Sequence, residues 1–170
     1  MPKTNIGRKL INYGPIILLY YLSISEVDTH FENYFEILSF NLQLIIVYFW
    51  ALKRPMLLGS GHIFFAGLIN DVVMGFPLGL SSLSYLAVAL VAGYIKNMSV
   101  HTTLTSDWFT FLIALLISNF VFSILLSRFS GIAFDVTEVS YNTFFTFFFF
   151  PFFWFLFSFY NSIVRDGKNV

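Results

Sequence analysis

Charged side chains punctuate this chain instead of coating it, and between them lie six apolar runs, at about 10–25, 37–52, 61–75, 80–95, 108–126 and 141–160. Each run is close to the roughly 20 residues a helix needs to cross a hydrocarbon layer about 30 Å thick. Hydrophobic residues make up 58% of the 170 and charged ones 11%, against a charged share of about 25% in soluble domains. A soluble core of that size cannot hide so much apolar surface. The expected fold is an all-α integral membrane protein, a six-helix transmembrane bundle forming one polytopic domain over 1–170.

The first run, Leu10 to Ile24, is short, with Gly14 and Pro15 near its start and Tyr20 and Tyr21 near its end. It follows the basic segment Met1 to Lys9 without a small-residue cleavage site, so it reads as an uncleaved span. Glu26 to Glu36 carries four acids and apolar residues at helical spacing, which suits an amphipathic surface helix or an N-terminal extension of the second span. In that second span, Tyr48, Phe49 and Trp50 meet Lys53 and Arg54, and Pro55 ends it, the pattern of an aromatic belt at a cytoplasmic boundary. Asn41 and Gln43 lie at its other end, within reach of water or a partner helix.

Spans three and four are joined only by Phe76, Pro77 and Leu78, which requires a tight antiparallel hairpin. Gly67, Asp71, Gly75 and Gly79 are spaced by fours, as are Ser81, Tyr85, Ala89 and Gly93 on the second arm. Small residues on facing arms let helix backbones approach closely in lipid. Lys96 to Asp107 reads as a loop, span five carries Ser118, Asn119 and Ser123, and Arg128 to Ser140 reads as a second loop. In the last span Phe144 to Phe157 is nearly all aromatic, the composition of a lipid-facing surface, and Pro151 is expected to kink it.

With six alternating spans, Lys3, Arg8, Lys9, Lys53, Arg54, Lys96, Arg165 and Lys168 fall on one side and Arg128 on the other. The positive-inside rule then places both termini in the cytoplasm.

Chemistry-bearing residues are sparse. There is no cysteine, and His30, His62 and His101 are far apart with no second ligand at i+3 or i+4, so no metal or cofactor is expected. No nucleophile elbow, phosphate-cradling loop or intramembrane carboxylate pair is present. Asp71 remains. A carboxylate at the centre of a membrane helix costs about 2.5–3.5 kcal/mol on insertion scales. It is offset by hydrogen bonds from Asn119, Ser118, Ser81 or Tyr85, by a polar cavity that binds a ligand or partner, or by a role in proton or ion coupling. As a simple hydrogen-bond hub, it would tolerate Asp71→Asn.

The run Gly67-Leu68-Ile69-Asn70-Asp71 followed by Gly75-Phe76-Pro77-Leu78-Gly79, preceded by Tyr48-Phe49-Trp50-Ala51-Leu52 and Arg54-Pro55, resembles the MreD family of bacterial rod-shape-determining membrane proteins. The resemblance implies a six-helix fold similar to the substrate-binding subunits of energy-coupling vitamin transporters. It implies a non-catalytic inner-membrane scaffold of the machinery that builds lateral cell wall. The partners implied are the bitopic protein MreC, with the filament MreB, RodA and the elongation transpeptidase. The family motif falls on Gly67, Asp71, Gly75, Pro77 and Gly79, with Trp50, Arg54 and Pro55 as a second set. A small-molecule binding or transport subunit on the same bundle is the alternative.

Overall fold

The computed structural model describes residues 6–25, 40–98, 103–130 and 136–166, and within them every regular element is a helix. The acidic segment 26–36, His30, His101 and the loop at 131–135 lie outside the described residues. The helices are α1 (Ile6–Ile24), α2 (Leu42–Lys53), α3 (Ser60–Met74), α4 (Leu80–Met98), α5 (Leu104–Ser130) and α6 (Val136–Asp166). Of these, α5 and α6 are long and apolar enough to cross a membrane.

The bundle is built around α2. Its nine residues from Leu44 to Leu52 are all buried, and it packs against α1, α4, α5 and α6. A helix apolar on every side has to be enclosed by others, and the sequence of α2 offers no polar face between Gln43 and Lys53. Twelve residues give a length of only about 18 Å. Around it, α4 lies against α3 and α5, α1 against α3, and α6 against α5. Successive helices run in opposite directions. The end of α1, the start of α2, the end of α3 and the start of α4 meet through Leu22, Gln43, Asn70 and Ser81, while the end of α2 meets the start of α5 through Lys53 and Asp107.

Burial corrects the reading of Tyr48, Phe49 and Trp50 as an interfacial belt. All three are at most 1% exposed. Tyr48 meets Phe111 edge-on at 5.1 Å, Phe49 lies 5.5 Å from Phe157, and Trp50 meets Tyr160 edge-on at 5.9 Å. Phe111 and Phe150 stack at 4.3 Å behind them. Such offset and edge-to-face pairs are favoured by the ring quadrupoles. The same aromatic-then-basic pattern that marks a membrane boundary here marks the buried end of a core helix.

Other boundaries also shift. Asp107, expected in a loop from Lys96, sits in the first turn of α5 and is buried, while α4 continues to Met98. The phenylalanine run of α6 divides by face: Phe144, Phe148, Phe152, Phe155 and Phe159 point outward, whereas Phe150 and Phe157 are core. The helix continues through Pro151 as a single element.

Because Trp50 fills space shared by α2 and α6, Trp50→Ala should cost about 3–5 kcal/mol. A thermal melt of the detergent-purified variant is expected to show a clearly lowered midpoint, with Leu156→Ala, on the exposed side of α6, as the near-neutral control.

Candidate functional site

The motif residues converge on the α3–α4 turn, and Asp71 organises it from both sides. Its backbone carbonyl accepts the N–H groups of Gly75 and Phe76, the latter at 2.9 Å, which closes the last turn of α3. Its carboxylate accepts the N–H of Gly79 and the N–H of Ser81, each at 2.8 Å, which caps the first turn of α4. The first N–H groups of a helix have no partner within it and carry partial positive charge, so a carboxylate placed there is favoured both as acceptor and as charge. Asp71 is fully buried.

This geometry corrects two expectations. Asn119, Ser118 and the Tyr85 hydroxyl do not bond Asp71: Asn119 donates to Thr143, Ser118 pairs with Ser84, and Tyr85 donates to Gln43. The residues spaced by fours also do not share one arm, since α3 ends at Met74 and Gly75 and Gly79 belong to the turn. Both have positive φ, 68° and 97°, a backbone region in which glycine alone is unstrained. The carbonyl of Pro77, between them, accepts the N–H of Leu80 at 3.2 Å.

Gly67 serves a different purpose. A Cβ built on it would lie closer than 3.0 Å to the backbone N and Cα of Ser82, and the Ser82 hydroxyl donates to the Phe64 carbonyl at 2.9 Å. Here α3 and α4 touch backbone to backbone. Gly93, grouped by its spacing with a close-contact face, meets nothing within 4 Å of a Cβ position.

Beside the turn runs a polar chain in which Gln43, expected to meet water or a partner helix, bonds to three neighbouring helices. Tyr85 donates to the Gln43 side-chain oxygen; the Gln43 amide donates to the Leu22 carbonyl at 2.9 Å and to Asn70 at 3.0 Å; Asn70 donates to the Ser81 hydroxyl at 3.0 Å. Four helices are thereby linked. Gln43 and Asn70, two amides at the same end of antiparallel neighbours in apolar surroundings, were the available signal. Asn41 caps α2 by accepting the Leu44 N–H at 3.1 Å, and its own N–H donates to Thr146 of α6 at 2.8 Å.

The second motif set lies at the opposite end of α2, about 15 Å away. Arg54 terminates α2 with its N–H on the Trp50 carbonyl at 2.8 Å, and its guanidinium donates to the Asn161 carbonyl at 3.4 Å, while Pro55 is exposed in the following turn. The two sets are not brought together. Near the second, Lys53 pairs with Asp107 at 2.9 Å, and the Trp154 indole donates to the same carboxylate oxygen at 2.9 Å. Tyr48 and Thr110 share a hydrogen bond at 2.5 Å one turn further in.

Chemically, the arrangement at the turn holds helices together. Both carboxylate oxygens of Asp71 are occupied by backbone donors, and the amides and hydroxyls around it are bonded to one another. No protein-family model, curated protein or solved structure matches the chain.

Two substitution pairs test this site. Gly67→Ala forces α3 from α4 and should destabilise by about 1–3 kcal/mol, whereas Gly93→Ala should be neutral or stabilising by up to about 1 kcal/mol through helix propensity. Asp71→Asn presents an amide N–H to a backbone N–H that needs an acceptor, so it should cost about 1–3 kcal/mol and not be tolerated as a simple hub would be. Asp71→Glu, which keeps both acceptors, should recover part of that loss in thermal melts.

Proposed function

We propose that this chain is a non-catalytic scaffold of the bacterial inner membrane, an MreD-like subunit of the machinery that builds lateral cell wall, acting beside an MreC-like bitopic protein. MreB, RodA and the elongation transpeptidase would be its wider company. The reading rests on the sequence resemblance in spans two to four and on one observation of geometry: the polar atoms of the motif are consumed in shaping a hairpin. Asp71 bonds Gly79 and Ser81, Gly67 admits Ser82, and Gly75 and Gly79 supply the turn. A motif spent on architecture suits a protein whose product is a surface for other proteins.

The reading includes six spans with both termini in the cytoplasm, and the sorting of Lys and Arg to one side of an alternating bundle is what supports it. α5 and α6 have the length for it; α1 and α4, at 19 residues each, come to about 28 Å, near the hydrocarbon thickness. The short α2 is enclosed by the others, where lipid does not dictate its length, whereas the fifteen-residue α3 packs on α1 and α4 and turns Phe65 and Val72 outward. Outward positions such as Phe148, Phe152, Phe120, Ile124 and Leu90 are the apolar surface that lipid or a partner helix would cover.

Co-purification decides between this reading and a transport subunit. The tagged full chain is expected to retain a co-expressed bitopic protein with a periplasmic coiled coil through detergent extraction, and a broad metabolite screen is expected to leave its melting temperature unchanged. Loss of the bitopic protein together with a ligand-dependent rise in melting temperature would overturn the scaffold in favour of transport.

A further inference from the structure

The two ends of α2 are held in unequal ways. At the Gln43 end the Gln43, Asn70 and Tyr85 side chains are paired through Leu22 and Ser81, and among the described residues Ser25 Oγ is the one buried side-chain atom there without a partner. At the Lys53 end the accounting is incomplete. Among the described residues, the buried side-chain atoms without a hydrogen-bond partner include Trp50 Nε1, Asp107 Oδ1 and Asn161 Oδ1. These three come from α2, α5 and α6, whose ends meet here: Trp50 packs on Tyr160, Lys53 pairs with Asp107, and Arg54 reaches the Asn161 backbone.

A buried carboxylate with one bare oxygen and a buried indole with a bare N–H are costly in a closed protein interior. Opening this end to water would satisfy both. Opposing that, the Lys53 ammonium and the Trp154 indole share Asp107 Oδ2 at 2.9 Å each, and the Lys53 Nζ lies 5.7 Å from the Trp154 ring centre. Lys53 keeps 17% of its side chain exposed, whereas Asp107 is 1% exposed, so the pair joins a partly exposed cation to a buried carboxylate. Removing one partner of such a pair leaves an uncompensated buried charge, while replacing both with apolar groups often leaves a protein folded.

We infer that Lys53, Asp107 and Trp154 form a latch at the basic end of the bundle, which opens by movement of the C-terminal half of α2 away from α5 and α6 while the Gln43 end stays fixed. The device is a hinged core helix. Its pivot is the satisfied amide network, and its catch is the Lys53–Asp107 pair. This inference does not depend on which partners the protein has.

The absence of cysteine from the chain makes the test direct. Single cysteines are placed at Leu52, buried at the latch end, or Leu44, buried at the pivot end, and maleimide labelling rates are measured on the full chain in lipid nanodiscs. Local opening sets the rate at a buried site. Asp107→Asn is expected to speed labelling at position 52 by about ten-fold or more and to leave position 44 unchanged. The charge exchange Lys53→Asp with Asp107→Lys is expected to return position 52 toward the parental rate. Equal rates at position 52 with and without Asp107→Asn would overturn the latch, as would equal acceleration at both positions. Should Asp107→Asn fail to give a monodisperse protein, Lys53→Met with Asp107→Leu removes both charges and keeps the bulk. Faster labelling confined to position 52 then supports the latch, and an unchanged rate overturns it.

Discussion

One aspartate ends a helix with its backbone and begins the next with its side chain. The Asp71 carbonyl takes the N–H groups that close α3, and its side chain takes those that open α4, so the separation between the two helices is set by the dimensions of a single residue. That separation in turn brings Gly67 against the Ser82 backbone and places Asn70 and Ser81 within reach of each other and of Gln43. The hydrogen bonds to a buried charge are worth about 1.5–3 kcal/mol each. Two of them, with the macrodipole of α4, offset the cost of burying the carboxylate at this helix end.

The remaining helices are arranged by a different constraint, the all-round apolar surface of α2. Its sequence cannot face water anywhere between Gln43 and Lys53, so neighbours must surround it, and the aromatic contacts with Phe111, Phe150, Phe157 and Tyr160 show how tightly they do. Polar groups are confined to its two ends. Gln43 fastens one to α1, α3 and α4, and Lys53 fastens the other to α5 and α6.

How much of this can be read from the chain depends on what each residue type can signal. The helices at Ser60–Met74 and Leu80–Met98 are legible because Phe76-Pro77-Leu78 between two apolar runs leaves room only for a turn, and Gly75 and Gly79 flank it. The importance of Asp71 is legible because a carboxylate in such surroundings must be compensated. Of its partners only Ser81 is, and as a residue, not as a donor, because the donors are backbone N–H groups, which every residue carries and no sequence pattern marks. The burial of Tyr48 and Trp50 is also hidden: an aromatic pair next to Lys53 and Arg54 has the same composition at a membrane surface and at the inner end of a core helix. The polar residues before Asp107 read as a loop, and its pairing with Lys53 joins positions 54 residues apart and has no local signature. The division of the α6 phenylalanines into an inner and an outer face could have been drawn from helical periodicity, but where every position is aromatic that periodicity has no contrast.

The hairpin at Asp71 also has a meaning in time. The donors for its carboxylate lie at Gly79 and Ser81, only eight and ten positions further along. At about 5–20 residues per second, a growing chain delivers them roughly half a second to two seconds after the aspartate itself. The carboxylate is without its backbone donors only for that interval. The third and fourth helices can therefore form as one unit, the second arm reaching the first within seconds of its synthesis.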